Sequence, residues 1–173
     1  EFEAFYQRLS EKAQPLFGTR RDVLMAGMPG SGMMESALRS LVARRLLVGI
    51  NGEFSHRWYR VAQVNGKTAD PLEVDLGAPI SAERLESALK QRGYDALVLP
   101  QIEASTGVQN DLPALAEVVR ATSPDTLIIV DAISAVGGAA LAFDDWGLDL
   151  AVTSSHECLA APPGLSLAVA SDR

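Results

Sequence analysis

The run Leu127-Ile128-Ile129-Val130, followed at once by Asp131, is the most informative stretch of this sequence. Short apolar runs bounded by turn or polar residues are typical of strands buried inside a sheet. A carboxylate at the end of such a strand needs a positive partner or hydrogen-bond donors. Asp131 is therefore a candidate functional residue, and a helix N-cap is the alternative of similar weight.

The rest of the chain repeats this pattern and alternates it with helical periodicity. Further strands are predicted at 23–26, 46–50, 72–74, 96–99 and 150–153, and a last one at 165–170, after the turn Pro162-Pro163-Gly164. Helices are predicted at 2–17, 33–45, 53–64, 82–91 and 112–121. Strands alternating with helices predict an α/β fold, in three α/β/α layers around a mostly parallel sheet, as a single domain over 1–173.

Ligands of such sheets bind at the carboxyl ends of the strands. Besides Asp131, the polar stretches that follow strands are Gly30-Ser31-Gly32 and Glu103-Ala104-Ser105-Thr106-Gly107. The glycine turn precedes a predicted helix, so free amides and the helix dipole favour an anion there. It lacks the lysine of a P-loop, and a purely structural turn is an equal alternative.

Composition excludes several classes of protein. The 173 residues are 47% hydrophobic with no periodic Gly or Pro, which excludes disorder and low complexity, and no apolar run is long enough to span a bilayer. A net charge of −7 disfavours nucleic acid and membrane surfaces as partners. Cys158 is the only cysteine, so no internal disulfide or Cys-rich zinc site is possible, and no metal site is predicted. No signal peptide is recognisable, and a cytoplasmic protein is expected.

The chain as a whole resembles the large domain of the class V pyridoxal-phosphate aminotransferases, the fold-type-I group that includes alanine–glyoxylate and serine–pyruvate aminotransferases. The resemblance rests on seven motifs in the same order. They are Phe17-Gly18-Thr19, Gly30-Ser31-Gly32-Met33-Met34-Glu35, Asn51-Gly52-Glu53-Phe54, Glu103-Ala104-Ser105-Thr106-Gly107-Val108, Val130-Asp131-Ala132-Ile133-Ser134, Asp145-Trp146-Gly147-Leu148-Asp149 and Ala161-Pro162-Pro163-Gly164.

The resemblance implies pyridoxal phosphate as cofactor and gives a role to most of the candidate residues. Asp131 would pair with the pyridinium nitrogen, so that the ring can act as an electron sink. Phe54 would stack on the ring; its alternative is a core phenylalanine on a helix. The residues implied to bind the cofactor are Gly30, Ser31 and Gly32 at the phosphate, Phe54, Ser105, Thr106, Asp131, Ile133 and His156. For His156 an ordinary polar residue at a strand end is an equal alternative.

One departure from the family pattern bears on catalysis. The family places its Schiff-base lysine, preceded by Gln, just before the Pro-Pro-Gly turn, and this sequence has His156 and Glu157 there. A carboxylate can neither form the Schiff base nor supply the amine that moves the proton. Pyridoxal phosphate is therefore expected to bind non-covalently at best, and Glu157 is expected to leave the chain catalytically inactive.

The parent activity implied by the resemblance moves an amino group between a small amino acid, such as alanine or serine, and a 2-oxo acid, such as glyoxylate or pyruvate. Family members are homodimers, so a homodimer is expected here. The sequence is also expected to be a fragment that lacks the N-terminal segment and the C-terminal small domain. Two alternatives remain: a dehydratase or lyase that uses pyridoxamine phosphate with His156 or Glu157 as base, and a non-catalytic scaffold or binding domain.

Overall fold

A seven-stranded sheet forms the centre of the structure. The computed structural model describes residues 1–173. The strands, in their order across the sheet, are β1 (Leu24–Ala26), β9 (Ser166–Ala170), β8 (Leu150–Ser154), β7 (Leu127–Asp131), β4 (Ala96–Pro100), β2 (Arg45–Ile50) and β3 (Thr68–Glu73). All are parallel except β9, which is antiparallel to both of its neighbours. The mostly parallel α/β sheet predicted from the sequence is confirmed.

Five α-helices connect and cover these strands. They are α1 (Phe2–Phe17), α2 (Gly30–Leu41), α3 (Glu53–Val64), α4 (Ala82–Leu89) and α5 (Leu112–Thr122). A two-stranded hairpin, β5 (Ile102–Glu103) with β6 (Val108–Gln109), and a 3₁₀ turn at Glu157–Leu159 complete the structure. None of the helices combines the length and the apolar character that crossing a membrane would require.

Two hydrophobic cores lie on the two faces of the sheet. Strand β4 shows the alternation that separates them, because Ala96 and Val98 belong to one core, whereas Leu97 and Leu99 belong to the other. Helices α2 and α3 contribute to the first core, and helices α1, α4 and α5 contribute to the second. The sheet is thus the middle of three layers, which explains why its inner strands read as continuous apolar runs.

Two elements, α2 and β3, differ by more than two residues from the bounds predicted by the periodicity. Helix α2 spans 30–41 rather than 33–45, because the glycine turn already forms the first helical turn and Arg45 belongs to β2. Strand β3 spans 68–73 rather than 72–74. It pairs only with β2 at the edge of the sheet, so polar residues and Pro71 are tolerated there and the strand lacks the apolar run of a central one.

The topology brings the candidate residues to one edge of the sheet. Strands β1, β2, β4, β7 and β8 all run in the same direction, so their carboxyl ends lie together. Helix α2 begins at Gly30, shortly after the end of β1. Asp131 is the last residue of β7, and Ser154 is the last residue of β8. This edge is where ligands of open α/β sheets bind.

Leu97→Ala tests the importance of the sheet core. Leu97 is fully buried in a central strand, so its truncation is expected to lower the free energy of unfolding by about 2 to 5 kcal/mol through lost burial and a residual cavity. Val64→Ala is the control, since Val64 is 87% exposed and its truncation is expected to change stability by less than about 0.5 kcal/mol. Urea denaturation measures both, and equal effects would contradict the burial of Leu97 in the core of the sheet.

Candidate functional site

One pocket at the carboxyl edge of the sheet contains most of the residues that the sequence singled out. The residues that line it include Gly30, Ser31, Phe54, Asp131, Ile133, His156 and Glu157. Three further candidates, Gly32, Ser105 and Thr106, do not line this pocket. The pocket therefore brings together the glycine turn, the Phe54 ring, the Asp131 carboxyl group and the predicted Schiff-base position. The hydroxyl groups of Ser105 and Thr106 lie outside it.

Asp131 ends strand β7 inside this pocket, and two hydrogen-bond donors hold its carboxyl group. Its Oδ2 accepts a hydrogen bond from Trp58 Nε1 at 2.7 Å, and its Oδ1 accepts one from the Ile133 amide at 3.1 Å. The residue is only 6% exposed. Burial raises the pKa of Asp131 to about 6, although the hydrogen bonds from Trp58 and Ile133 act in the opposite direction. The structure has no helix between β7 and β8, so the N-cap alternative for Asp131 is wrong.

Trp58 is a residue of the site that sequence reasoning missed, because it belongs to none of the motifs quoted above. It is fully buried in helix α3, and its indole N–H is the nearest donor to Asp131. A tryptophan N–H buried in a core usually has a specific acceptor, and this rule was the available signal. The partner could not be named from the sequence, because it belongs to another element 73 residues away.

The glycine turn presents unpartnered backbone donors to the pocket. Helix α2 begins at Gly30 after Pro29 and has no side-chain cap, and the first N–H groups of a helix have no acceptor within it. The Gly32 amide is an exception, because it donates to the Pro29 carbonyl at 2.8 Å. A β-carbon at Gly30 would lie 2.7 Å from Ile133 Cδ1, so the close approach of this side chain favours glycine.

Phe54 and Arg57 form the wall of the pocket provided by helix α3. The Phe54 ring is 37% exposed, and the Arg57 guanidinium carbon lies 5.1 Å from the centre of that ring. Arg57 Nη1 also donates to Ser31 Oγ at 3.4 Å. Phe54 is therefore not a core phenylalanine, which was the alternative. The guanidinium of Arg57 places a positive charge between the Phe54 ring and the glycine turn.

Glu103 fixes the start of helix α3 and thereby positions Phe54. Its fully buried carboxylate accepts hydrogen bonds from the Phe54 amide at 3.2 Å and from the Ser55 amide at 2.8 Å. Burial alone would raise the pKa of Glu103, but hydrogen bonds from Ser55 and Ser105 outweigh it and hold the pKa below its ordinary value. Gly52 gives room for this contact, since a β-carbon there would lie 2.3 Å from Glu103 Cγ.

Ser105 and Thr106 form hydrogen bonds that hold the start of helix α3. Ser105 Oγ accepts a hydrogen bond from the Glu53 amide at 2.9 Å and donates to Glu103 Oε1 at 2.8 Å. Thr106 Oγ1 lies 3.3 Å from the Asn51 carbonyl oxygen, to which it donates. Both hydroxyls are therefore engaged within the protein, and the direct cofactor contact implied by the resemblance stays a prediction.

The turn after β8 brings His156 and Glu157 to the pocket. Glu157 begins a 3₁₀ turn with a φ of 63°, a left-handed conformation that is costly for a residue other than glycine. Its side chain is 46% exposed, and its Oε1 lies 3.8 Å from His156 Nε2. His156 Nδ1 is buried without a hydrogen-bond partner. Glu157 thus lies where the resemblance implies the lysine, and His156 lies where it implies the preceding glutamine.

The model of the class V aminotransferase family matches residues 43–173. This chain belongs to the class V aminotransferase family. A solved alanine–glyoxylate aminotransferase from Nostoc superimposes on it with a TM-score of 0.93 at 27% identity, covering 99% of this chain and 46% of that one. The fold-type-I architecture expected from the sequence is therefore confirmed together with the family.

Two curated relatives illustrate the range of names found among similar proteins. Alanine–glyoxylate aminotransferase 1 of Saccharomyces cerevisiae is 28% identical over 183 residues, covering all of this chain and 48% of the yeast protein. A soluble hydrogenase small subunit of Synechococcus is 32% identical over 171 residues, covering 96% of this chain and 44% of that protein. The chain thus spans about half the length of the relatives it matches.

The raised pKa of Asp131 predicts a specific pH dependence of stability. Because its folded-state pKa of about 6 lies above the ordinary value of 3.8, the folded chain binds the proton more tightly than the unfolded chain. Asp131 therefore contributes stability at pH 4 that is lost as the pH rises through 6, by about 3 kcal/mol at most. Urea unfolding of the wild type and of Asp131→Asn at pH 4, 5, 6 and 7 measures this contribution as the difference between the two chains.

The difference in unfolding free energy, wild type minus Asp131→Asn, should decrease across that range and then level off. The exposed Asp125→Asn variant controls for the loss of one carboxylate, and its difference from the wild type should stay nearly constant. A flat difference for Asp131→Asn would show that this carboxyl is not perturbed by burial.

Proposed function

We propose that this chain binds pyridoxal phosphate without a covalent bond and does not catalyse amino transfer. The proposal rests chiefly on one observation: Glu157 lies in the same pocket as Asp131 and Phe54, at the turn where the family resemblance places the Schiff-base lysine. The aminotransferase ancestry of the chain follows from its family, and its loss of catalysis follows from the chemistry of residue 157.

The pocket offers three of the four cofactor contacts that the family resemblance implies, namely those to the pyridinium nitrogen, the ring and the phosphate. Asp131 offers a buried acid to a pyridinium nitrogen, and a cation there would lower the pKa that burial has raised. Phe54 offers a half-exposed ring for stacking. The start of α2 at Gly30 and Ser31, with Arg57 beside it, favours a phosphate group. Ile133 and His156 complete the proposed binding residues.

The fourth contact, a covalent bond to a lysine amine, is missing, because no lysine lines the pocket. The three lysines lie elsewhere: Lys12 is on α1, Lys67 donates to the Val42 carbonyl, and Lys90 pairs with Glu86 at 2.7 Å. When bound, pyridoxal phosphate supplies an electron sink to amino-acid chemistry. Glu157 cannot form the carbon–nitrogen double bond to it, and it cannot supply the amine that moves the proton in amino transfer.

The parent reaction is proposed from the relatives. The yeast and Nostoc proteins are named alanine–glyoxylate aminotransferases, and a relative in Methylorubrum extorquens is named serine–glyoxylate aminotransferase. We infer that the ancestor of this chain moved an amino group from alanine or serine to a 2-oxo acid such as glyoxylate or pyruvate. Homodimer formation is part of the same proposal, as is a cytoplasmic location.

A second candidate function keeps the chain as an enzyme. His156 and Glu157 lie 3.8 Å apart in the pocket, and the buried His156 Nδ1 has no partner within the protein. This pair could serve as the acid and base of a dehydration or elimination that uses pyridoxamine phosphate, because such a reaction needs no lysine. The amine of pyridoxamine phosphate condenses with a carbonyl group, so turnover of a hydroxylated 2-oxo acid with pyridoxamine phosphate, lost in both His156→Ala and Glu157→Gln, would favour it.

Glu157→Lys is the sharpest test of the leading proposal. The wild type incubated with pyridoxal phosphate and then with borohydride is expected to gain no covalent cofactor, since no amine lines the pocket. Glu157→Lys should gain one cofactor per chain, attached to the introduced amine, because a lysine would then project from the same turn. Intact-mass spectrometry and peptide mapping measure the attachment, and titration of cofactor absorbance measures non-covalent binding to the wild type.

Glu117→Lys is the matched control, since it makes the same charge change at an exposed position of α5, on the opposite face of the sheet. It should remain unmodified. Stoichiometric attachment of the cofactor to a lysine of the wild type would overturn the non-covalent proposal. A folded wild type that binds neither form of the cofactor would instead support a scaffold or binding domain.

A further inference from the structure

A second pocket, the Trp146 groove, lies beside the start of helix α5 and has a buried polar atom without a partner in its wall. Residues from three segments line the groove: Gln101 follows β4, Asp111 precedes α5, and Trp146 lies between β7 and β8. Its volume is about 390 Å³, which is within the range of ligand-binding pockets. None of its residues lines the pocket of Asp131, so the two pockets are separate.

Gln101 supplies the unpartnered atom. Its Nε2 donates a hydrogen bond to the Ala140 carbonyl at 2.7 Å, and this bond fixes the orientation of the amide, since the amide oxygen cannot donate. The other end of the amide, Oε1, is buried and accepts no hydrogen bond. The residue is only 1% exposed and lines the groove. A buried acceptor without a donor is costly, so its position beside a groove indicates a donor supplied by a ligand.

A second buried amide in the wall of the groove shows the contrast. Asn110 Oδ1 accepts a hydrogen bond from the Ile80 amide at 2.9 Å, and Asn110 Nδ2 donates to the Pro100 carbonyl at 2.8 Å. Both ends of that side chain are therefore satisfied within the fold. Of the two buried amides that line the groove, only Gln101 has an acceptor without a partner.

The groove carries negative charge and no positive side chain. Asp111 is exposed, and its Oδ1 caps α5 by accepting from the Ala114 amide at 3.3 Å. No arginine, lysine or histidine lines the groove. Arg120 comes close to the loop of Trp146 but is already engaged, because its Nη2 donates to the Gly147 carbonyl and to Asp149 Oδ2, each at 2.6 Å. The groove is thus rich in acceptors and favours a cation.

Trp146 adds an aromatic surface to these acceptors. It belongs to the segment Asp145-Trp146-Gly147-Leu148-Asp149, whose Leu148 and Asp149 are buried, whereas Trp146 is partly buried and lines the groove. Tryptophan is the side chain on which cations bind best. A guanidinium group is planar, stacks on aromatic faces and carries five N–H donors. It therefore matches an indole, a carboxylate and a free amide oxygen better than an ammonium group does.

We propose that the Trp146 groove binds a guanidinium group, which donates hydrogen bonds to Gln101 Oε1 and to the Asp111 carboxylate and stacks on Trp146. Free arginine and an arginine side chain of a protein partner carry this same group. The inference does not depend on the proposed function, because the two pockets share no residue. Failure of either one leaves the other intact.

Titration with blocked amino acids, followed by NMR of the indole N–H groups, tests the proposal. The chain has two tryptophans, and Trp146→Phe assigns their signals. N-acetyl-arginine amide should shift the Trp146 signal with a dissociation constant on the order of 1 mM, whereas the signal of the fully buried Trp58 should stay in place. N-acetyl-citrulline amide, which is uncharged, should bind at least about tenfold more weakly, because it forms no charge-assisted hydrogen bond.

Three results would overturn the proposal: no shift of the Trp146 signal with the arginine compound, equal binding of the citrulline compound, or equal binding of N-acetyl-lysine amide. Free arginine identifies the source of the group. If it binds at least as tightly as the blocked compound, the groove takes a small molecule. If it binds more weakly, because its own carboxylate is repelled by Asp111, the groove takes an arginine within a protein chain. Both of these results support the guanidinium site.

Two variants test the acceptors separately. Asp111→Asn keeps a good helix cap and removes the charge, so it should weaken the binding of N-acetyl-arginine amide about threefold. Gln101→Met removes the free oxygen at similar volume and should weaken this binding about tenfold, because a hydrogen bond from a charged group is lost.

Asp125→Asn and Gln63→Met are the matched controls, since they make the same changes at exposed positions outside the groove. Both should leave the affinity unchanged. If Gln101→Met does not fold, Asp111→Asn still decides, because it alters only an exposed carboxylate. Unchanged affinity of folded Asp111→Asn would overturn the proposal.

Discussion

The burial of one carboxylate, that of Asp131, constrains the rest of this pocket. An acid removed from water at the end of a strand must find donors, and here they come from Trp58 and from the Ile133 amide. The bond to Trp58 ties helix α3 to the centre of the sheet. Phe54 lies one helical turn before Trp58 on the same face, so the bond that satisfies the acid also places the aromatic ring over the pocket.

A second buried acid, Glu103, holds the start of helix α3. Its carboxylate accepts hydrogen bonds from the first amides of this helix, which has no side-chain cap of its own. The helix is therefore held at its start by Glu103 and one turn later by Asp131. The contrast in pKa follows from the donors: several hydrogen bonds lower the pKa of Glu103, whereas burial dominates at Asp131.

Most of the fold could be predicted from the sequence, because the central strands are local apolar runs and the helices have local periodicity. The edge strand β3 was located poorly, since only one neighbour pairs with it and its polar residues carry no such signal. The site was predicted in part. Gly30, Phe54 and Asp131 were found because each follows a strand or belongs to a family motif. The pairs Trp58 with Asp131 and Glu103 with Ser55 join distant elements, and no local pattern records them.

The position of strand β1 has a consequence for how a nascent chain reaches this structure. The strand that leads into the glycine turn pairs with β9 alone, and β9 follows it by more than a hundred residues. During synthesis β2, β4 and β7 can associate as they emerge, while β1 and the turn at Gly30 must wait for β9. The start of helix α2 therefore depends on the strand pairing with the greatest separation along the chain, and such long-range pairing slows folding. A chain that stopped before β9 would contain the strands that flank Asp131, but it would lack the only strand with which β1 pairs.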